Sequence, residues 1–288
     1  MQIGVTFPQL EIGPDPAVLR EYARTAEGLG YDFLTIYDHV LGADTTNRPG
    51  WGGAYAADDQ FHEPFVLFGW LAAVAPKLAL ATGVIVLPQR QTALVAKQAA
   101  EIDILNGGRL RLGVGIGWNE VEFEALNENF RNRARRYEEQ VDLLRRLWTE
   151  PVVTFDGRYH QVKEAGLNPL PIQRPIPIWM GGRAEAALER IGRLADGWMT
   201  QTPLDDNLRG MIERVRGYAG AAGRSPDAVQ IEARVSLNAA PESDWRGIVE
   251  EWRALGASHL AVNTMRAGLD SPRAHIDAIR HFWEVVRG

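Results

Sequence analysis

Cysteine is absent from the 288-residue sequence. Its absence excludes disulfide bonds, thiolate metal sites, iron–sulfur clusters and a cysteine nucleophile. An excess of positive charge is absent as well, because 31 Lys and Arg residues are set against 37 Asp and Glu residues, which gives a formal net charge of −6. No block of five like charges interrupts the chain. The sequence therefore predicts no nucleic-acid partner and no attachment to an anionic membrane.

Long hydrophobic runs are also missing. No stretch approaches the roughly 18 apolar residues of a membrane span, and the first residues, MQIGV, lack the basic region and apolar segment of a secretory signal. We therefore expect a cytoplasmic protein. The signatures of serine hydrolases and of P-loop nucleotide hydrolases, G-x-S-x-G and G-x-x-x-x-G-K-[ST], do not occur either.

The chain instead alternates short apolar, β-branched runs with stretches of helical periodicity. Strands that alternate with helices predict an α/β protein with a mostly parallel sheet, and eight such units fit one (β/α)8 TIM barrel domain over residues 1–288. A doubly wound sheet is the alternative. The expected strands are Ile3–Phe7, Phe33–Tyr37, Leu78–Leu87, Leu110–Gly115, Ile176–Met180, Gly197–Thr200, Val229–Leu237 and Leu260–Asn263.

Two segments interrupt the alternation. Residues 41–62 follow the second strand and have neither period, and such a long connection at the carboxyl end of a barrel strand favours a loop that covers the substrate over a neutral insertion. Residues 152–162, after the fourth helix, contain Asp156-Gly157 between two β-rich runs and predict a β-hairpin. Tryptophans in the long loop or near strand ends are candidates for aromatic walls around a flat ligand: Trp51, Trp118 and Trp198.

One glycine-rich turn follows the fourth expected strand. Gly113, Gly115 and Gly117 precede Asn119, and Glu122 three residues later completes the pattern of a capping box at a helix start. Helix N-termini attract anions, and glycine lets the backbone approach a phosphate closely. Taken alone, this turn is equally compatible with a tight connection that binds nothing.

A second turn repeats the arrangement. Gly181, Gly182 and Arg183 lie between a strand and a helix, and the arginine adds a permanent cation with forked donors. Its alternative is a solvated arginine without a ligand. Together the two turns predict a phosphate-bearing ligand on one rim of the barrel.

The second expected strand ends in Tyr37-Asp38-His39. A histidine there would project into the barrel mouth beside an acidic residue, which is a setting for general acid or base chemistry near neutral pH. The alternative is a buried histidine bonded to the backbone. The other histidines have no metal-ligand spacing, so no metal is expected; His62 remains open, and structural roles are favoured for His160, His275 and His281.

Three motifs carry a resemblance to a known family. Ala81-Thr82-Gly83-Val84, GVGIGWNEVEFEALN and PIWMGGRAEAALERIGRLADGWM resemble the bacterial luciferase-like monooxygenase superfamily, and within it the oxidoreductases that use the deazaflavin coenzyme F420. The resemblance covers nearly the whole chain. It implies a (β/α)8 barrel, often a homodimer, that transfers a hydride between F420 and a small organic substrate, whose identity the sequence does not give.

The resemblance also implies residue roles. Gly83-Val84 matches a non-proline cis peptide against the central ring of the cofactor, and Asp38 and His39 match an acidic-histidine pair near the reactive ring edge, with His39 as proton donor or acceptor. The cofactor side chain would lie beside Gly115, Ile116, Gly117 and Trp118. Its phosphate turn would be Gly181, Gly182 and Arg183. Candidates for the pocket wall are Phe7, Gln9, Trp51 and Trp118.

Two positions depart from the family pattern. Relatives often carry a small hydroxyl residue where Arg183 stands, which puts that contact in doubt. Relatives that dehydrogenate sugar phosphates have a glutamate where Trp118 stands, which argues against that substrate class.

Two other functions stay open at this point. The same turns bind FMN in other relatives, so an FMN-dependent monooxygenase that uses O2 is the first alternative. A barrel that binds a flavin or deazaflavin without turnover is the second. Loss of Asp38-His39 or of the glycine turns would have favoured the second alternative, and both features are present.

Overall fold

Eight parallel strand positions close into a barrel in the computed structural model, which describes residues 1–287. The neighbours run in the order β3-β2-β1-β11-β10-β9-β8-β5-β4, and a further pairing of β3 with β5 closes the ring. The strands are β1 Gln2–Thr6, β2 Phe33–Ile36, β3 Ala79–Thr82, β4 Ile85–Val86, β5 Leu110–Gly115, β6 Val153–Asp156, β7 Gln161–Ala165, β8 Ile178–Gly181, β9 Gly197–Met199, β10 Gln230–Ser236 and β11 His259–Asn263. The predicted (β/α)8 barrel is confirmed, and closure of the sheet excludes the doubly wound alternative.

Helices surround the barrel between consecutive strands. They are α1 Pro16–Leu29, α2 Pro64–Val74, α3 Thr92–Leu105, α4 Glu120–Ala125, α5 Arg133–Thr149, α6 Glu185–Leu194, α7 Asp206–Ala221, α8 Trp245–Ala254 and α9 Pro272–Arg287. Within residues 1–287, no helix is both long enough and apolar enough to cross a lipid bilayer.

The first helix shows how the sequence sets its own limits. The Asp15 carboxylate accepts a hydrogen bond of 2.8 Å from the amide of Ala17, and Pro16 occupies the first turn, where no amide hydrogen is needed. Gly30 ends the helix with φ 91°, a left-handed conformation that favours glycine. The apolar stripe of α1 is buried against the barrel.

The third expected strand is interrupted, so the prediction of one strand over Leu78–Leu87 is wrong. The peptide bond Gly83-Val84 is cis and separates β3, which pairs with β2, from β4, which pairs with β5. A Cβ at Gly83 would lie only 2.5 Å from Cγ2 of Thr35, so a side chain does not fit there. The apolar run continues through the break, and periodicity alone cannot reveal it. The other strands agree with their expected bounds to within two residues.

Both expected insertions are found at their predicted places. Residues 41–62 contain no helix or strand and lie at the carboxyl end of β2. The strands β6 and β7 form an antiparallel hairpin after α5. The Glu139 carboxylate of α5 fixes the hairpin turn, because it accepts hydrogen bonds of 2.8 and 2.9 Å from the amides of Arg158 and Tyr159 and lies 2.7 Å from His160 Nδ1.

Charged and aromatic side chains fill the amino-terminal half of the barrel interior. Arg111 Nη1 lies 2.6 Å from the Glu232 carboxylate, and the Arg111 guanidinium lies over the rings of Phe33 and Trp179 at 4.3 and 4.7 Å. His259 packs against the same two rings. These side chains therefore fill the interior at this end, and in (β/α)8 barrels the ligand site lies at the carboxyl ends of the strands.

Candidate functional site

The predicted cofactor segments meet around Val84. A Cβ at Gly115 would lie 2.7 Å from Val84 Cγ2, and a Cβ at Gly181 would lie 3.7 Å from Val84 Cγ1. The break between β3 and β4 and the ends of β5 and β8 therefore meet at one side chain at the carboxyl end of the barrel. The absence of a side chain at Gly115 permits its close approach to Val84, whereas a Cβ at Gly181 would make only an ordinary contact.

The turn after β5 needs glycine at one position in particular. Gly117 has φ 73°, and a Cβ there would lie 2.4 Å from Val86 Cγ1. Ile116, its predecessor, is half-buried and packs on the hydrophobic core. The following Asn119 accepts a hydrogen bond of 3.2 Å from the amide of Val121 and begins α4.

The turn after β8 is fixed by a hydrogen bond from a tryptophan of β9. Gly182 has φ 133°, and its carbonyl oxygen accepts a hydrogen bond of 3.0 Å from Trp198 Nε1. Trp198 is fully buried, so it supports the turn rather than forming the aromatic wall that the sequence suggested. Arg183 is exposed, and α6 begins after it without a side-chain cap. The first amide groups of α6 are thus available to an anion.

His39 interacts with a carboxylate that the sequence analysis assigned elsewhere. Its Nδ1 lies 3.0 Å from Glu122 Oε2 and 3.1 Å from Oε1. Glu122 has no exposed surface and also accepts hydrogen bonds from the amides of Val40 and Leu41, at 2.8 and 3.2 Å. The capping-box interpretation is therefore half right: Asn119 caps α4, but Glu122 binds the loop after β2.

The charge on Glu122 follows from these contacts. Burial raises the pKa of Glu122, but the hydrogen bond and charge of His39, the amide of Leu41 and Gln89 outweigh it, so the pKa lies below its usual value. A carboxylate beside Nδ1 favours the proton on that nitrogen. Among residues 1–287 no group bonds to Nε2, which leaves that atom for exchange with a ligand.

Asp38 faces away from His39. Its carboxylate lies 2.8 Å from Arg90 Nη2 and accepts a hydrogen bond of 3.2 Å from the amide of Val86, and the side chain is almost fully buried. Burial raises the pKa of Asp38, and the attraction of Arg90 opposes this rise. Asp38 therefore binds the backbone of β4 and the side chain of Arg90, and the acidic partner of His39 is Glu122.

An aromatic cluster covers His39. Tyr55, Phe61 and Trp118 lie with ring centroids 5.1, 4.8 and 5.4 Å from the imidazole. Trp51 packs against Trp118 at 5.9 Å and donates its Nε1 hydrogen to the carbonyl of Tyr55. Three of these rings belong to the 41–62 loop, so this loop lies over the barrel mouth and presents apolar faces there.

The remaining pocket candidates differ in placement. Phe7 is fully buried and packs edge-on against Tyr22 and His62, so it lies behind the mouth rather than on its surface. Gln9 is also fully buried; its Oε1 accepts a hydrogen bond of 3.0 Å from the amide of Tyr37. Its Nε2 is buried without a partner among residues 1–287. Gln9 thus has a spare donor beside the mouth.

No group of three or more His, Asp or Glu side chains within the described part of the chain is arranged to hold a metal ion. The arrangement instead consists of glycine-lined turns, an uncapped helix start, an aromatic cover and a histidine–carboxylate pair. Together with the closed parallel sheet, these features form a (β/α)8 barrel with a candidate ligand site at the carboxyl ends of its strands.

A family model described as luciferase-like monooxygenase matches residues 2–280, and the chain belongs to this family. It is 32% identical over 248 residues to the F420-dependent glucose-6-phosphate dehydrogenase of Mycolicibacterium smegmatis, covering 79% of this chain and 67% of that protein. It is 30% identical over 210 residues to the FMNH(2)-dependent dimethylsulfone monooxygenase of Pseudomonas putida, covering 72% of this chain and 54% of that protein.

Solved structures agree on the fold. An F420-dependent secondary alcohol dehydrogenase in complex with an F420–acetone adduct superposes with a TM-score of 0.80 at 19% identity, covering 100% of this chain and 99% of the other. The family thus includes F420-dependent oxidoreductases and FMN-dependent monooxygenases.

Proposed function

We propose that this protein is an oxidoreductase that transfers a hydride between coenzyme F420 and a small organic substrate at the carboxyl end of the barrel. The observation that carries the proposal is the convergence of the Gly83-Val84, Gly115 and Gly181 segments on one side chain, at the same end of the barrel as the His39–Glu122 pair. The identity of 32% with an F420-dependent enzyme supports the choice of cofactor.

The residues at the mouth fit a tricyclic cofactor with a phosphate-bearing tail. Gly115 and Gly181 present no side chain toward Val84, and Gln9 Nε2 is a buried donor without a partner among residues 1–287. Gly83 and Val84 would hold the ring system, Gly115 to Trp118 the side chain, and the turn at Gly181–Arg183 the phosphate. When bound, the deazaflavin supplies a carbon centre that accepts or donates a hydride.

The chain itself handles the proton. Glu122 holds His39 through Nδ1, which leaves Nε2 to take a proton from the substrate or to give one to it. The aromatic cluster excludes water from the imidazole, because Tyr55, Phe61 and Trp118 surround it.

The choice of cofactor is tested by titrating the purified protein with F420 and with FMN and following ring fluorescence. We expect tight binding of F420 and weaker binding of FMN. The reverse order would support the FMN-dependent monooxygenase, which the 30% identity with the Pseudomonas putida enzyme also favours. Cofactor that binds in reduced form and is never reoxidised by a substrate would support a barrel without turnover.

The role of His39 is tested by His39→Ala. We expect turnover to fall by about 10²–10⁴-fold while cofactor affinity stays close to that of the wild type, because a positioned acid–base group contributes about that factor. The matched control is His281→Gln, which removes an exposed histidine on α9. Full turnover of His39→Ala with unchanged cofactor binding would remove the assignment of His39.

A further inference from the structure

A second polar feature of the mouth, separate from the His39–Glu122 pair, centres on Arg234. This residue lies on β10 two positions after Glu232, whose side chain points into the barrel and binds Arg111. Side chains alternate along a strand, so Arg234 points inward as well, one layer nearer the carboxyl end. Tyr37, Gly83, Gln201 and Arg234 line the same narrow cleft, and so does Glu232, whose carboxylate is paired with Arg111.

The Arg234 guanidinium is held in place by a neutral group. Its Nη1 donates a hydrogen bond of 2.5 Å to the Tyr37 hydroxyl, which comes from the end of β2 across the mouth. Within residues 1–287 no carboxylate lies within 4 Å of its nitrogens. A guanidinium has five N–H donors and keeps its charge at all working pH values, so most of its donor capacity is unused.

A second cation lies against the 41–62 loop. The Arg266 guanidinium lies 5.6 Å from the centre of the Tyr55 ring, and its Nη2 donates a hydrogen bond of 3.1 Å to the carbonyl of Ala54. It forms no ion pair among the described residues either. Burial raises the pKa of Tyr55, and the positive charges of Arg266 and Arg234 both oppose this rise.

The geometry points to an anion-binding subsite at the mouth: we propose that Arg234, assisted by Arg266, binds a carboxylate or phosphate group of the substrate. The aromatic rings of the 41–62 loop would cover the apolar body of the same molecule. The inference rests on the proposed function, and it narrows the substrate class to small organic anions. A guanidinium fork matches either oxyanion, so both chemistries are tested separately.

The experiment is a ligand-observed NMR titration of the purified protein with three small aromatic probes in a buffer without phosphate. Sodium benzoate tests the carboxylate, phenyl phosphate tests the phosphate, and benzyl alcohol is the neutral reference. We expect at least one anion to bind the wild type more tightly than benzyl alcohol. Arg234→Ala should weaken that anion about tenfold or more and leave benzyl alcohol unchanged, since hydrogen bonds to charged groups contribute strongly.

Three further variants locate the site. Arg135→Ala, an exposed arginine of α5, is the control and should bind all probes like the wild type. Tyr37→Phe keeps the cation and removes only its neutral partner, so anion binding should stay within about threefold of the wild type. Arg183→Ala tests whether the anion binds instead at the turn proposed for the cofactor phosphate. Loss of anion binding in Arg183→Ala alone, or equal loss in Tyr37→Phe and Arg234→Ala, would overturn the proposal.

Cofactor titrations on the same variants separate the two proposals. One outcome is that the wild-type protein binds neither F420 nor FMN, while Arg234→Ala loses the benzoate or phenyl phosphate binding that the wild type shows. In that case the proposed function fails and the anion subsite stands. If Arg234→Ala loses cofactor affinity and retains the probes, Arg234 belongs to the cofactor site and the inference is wrong. Unchanged circular dichroism and melting temperature show that each variant is folded.

Discussion

His39 Nδ1 lies 3.0 Å from Oε2 of Glu122, a residue with no exposed surface. His39 follows β2, whereas Glu122 lies on α4, which follows β5. The two residues are 83 positions apart in the chain. Because Glu122 also accepts the amides of Val40 and Leu41, one buried charge sets the position of the imidazole and the start of the long loop together.

We predict that Glu122→Gln destabilises the protein by about 3 kcal/mol at neutral pH, because the buried charge is lost and an NH2 donor replaces one of the two acceptor oxygens. The pKa of Glu122 is lowered in the folded state, so the unfolded chain takes up the proton first as the pH falls. The contribution of the carboxylate is therefore complete above its ordinary value of 4.5 and is lost as the pH falls below it.

Urea unfolding of wild type and variant at several pH values checks this. The difference in unfolding free energy should narrow below pH 4.5. Glu124→Gln, an exposed position on the same helix, is the control and should match the wild type. A gap that stays constant through the acid range would show that the carboxylate charge is not the source of the effect.

Gly115→Ala tests the contact at the centre of the site. The new Cβ would lie 2.7 Å from Val84 Cγ2, so Val84 must shift. We expect a loss of about 1–3 kcal/mol in unfolding free energy, as for other overpacked positions, and weaker cofactor binding. Val84→Ala in the same chain should restore much of the stability. Gly217→Ala, on α7 with nothing near its Cβ, should instead raise stability by about 1 kcal/mol; both are measured by urea unfolding.

The barrel was predictable because burial on both faces of parallel strands leaves apolar runs that alternate with amphipathic helices. The positions of the turns at the carboxyl ends were predictable too, because each turn follows directly from the end of an apolar run. The partner of His39 was not predictable, because Asp38 is adjacent in sequence while Glu122 reaches His39 only after the barrel closes. The Asn-x-x-Glu pattern marked Glu122 as unusual, but helix capping explained it locally. Arg234 gave no signal either, since its inward direction depends on the register of β10.

The Asp38–Arg90 pair gives a second pH-dependent prediction, in which the buried carboxylate has a raised and not a lowered pKa. Removing Arg90 leaves the buried Asp38 carboxylate without a cation, so Arg90→Met should lower the free energy of unfolding by about 3–5 kcal/mol at neutral pH. Burial already raises the pKa of Asp38, and loss of the cation raises it further. A carboxyl whose folded pKa is raised is more stably folded when protonated, so the deficit of Arg90→Met should shrink as the pH is lowered from 7.

A double-mutant cycle isolates this effect. In an Asp38→Asn background, Arg90→Met should cost only about 1 kcal/mol, because no buried charge is left behind. Additive losses in the cycle would mean that Arg90 acts through Glu63, its other carboxylate partner at 3.0 Å, and not through Asp38. Unfolding in urea at neutral and mildly acid pH supplies all the required free energies.

The buried His259, in the amino-terminal half of the barrel interior, is expected to be a second source of acid sensitivity. Burial, with the nearby positive charges of Arg111 and the N-terminus, lowers the pKa of His259 from 6.5 to about 3. Below pH 6.5 His259 binds a proton in the unfolded chain, but in the folded chain it does so only near pH 3. The contribution of neutral His259 to stability is therefore complete above pH 6.5 and decreases as the pH falls toward 3. Each pH unit in the middle of the window removes about 1.4 kcal/mol.

His259→Phe keeps an aromatic ring between Phe33 and Trp179 and removes the titrating nitrogens. We expect the slope of unfolding free energy against pH between 6 and 4 to flatten by about 1.4 kcal/mol per unit. The loss of the 2.8 Å contact between Ser258 Oγ and His259 Nδ1 lowers stability at all pH values, so the slope and not the absolute value is the measurement. An unchanged slope would mean that His259 accepts a proton in the folded barrel, which would require the Arg111 guanidinium to move away from it.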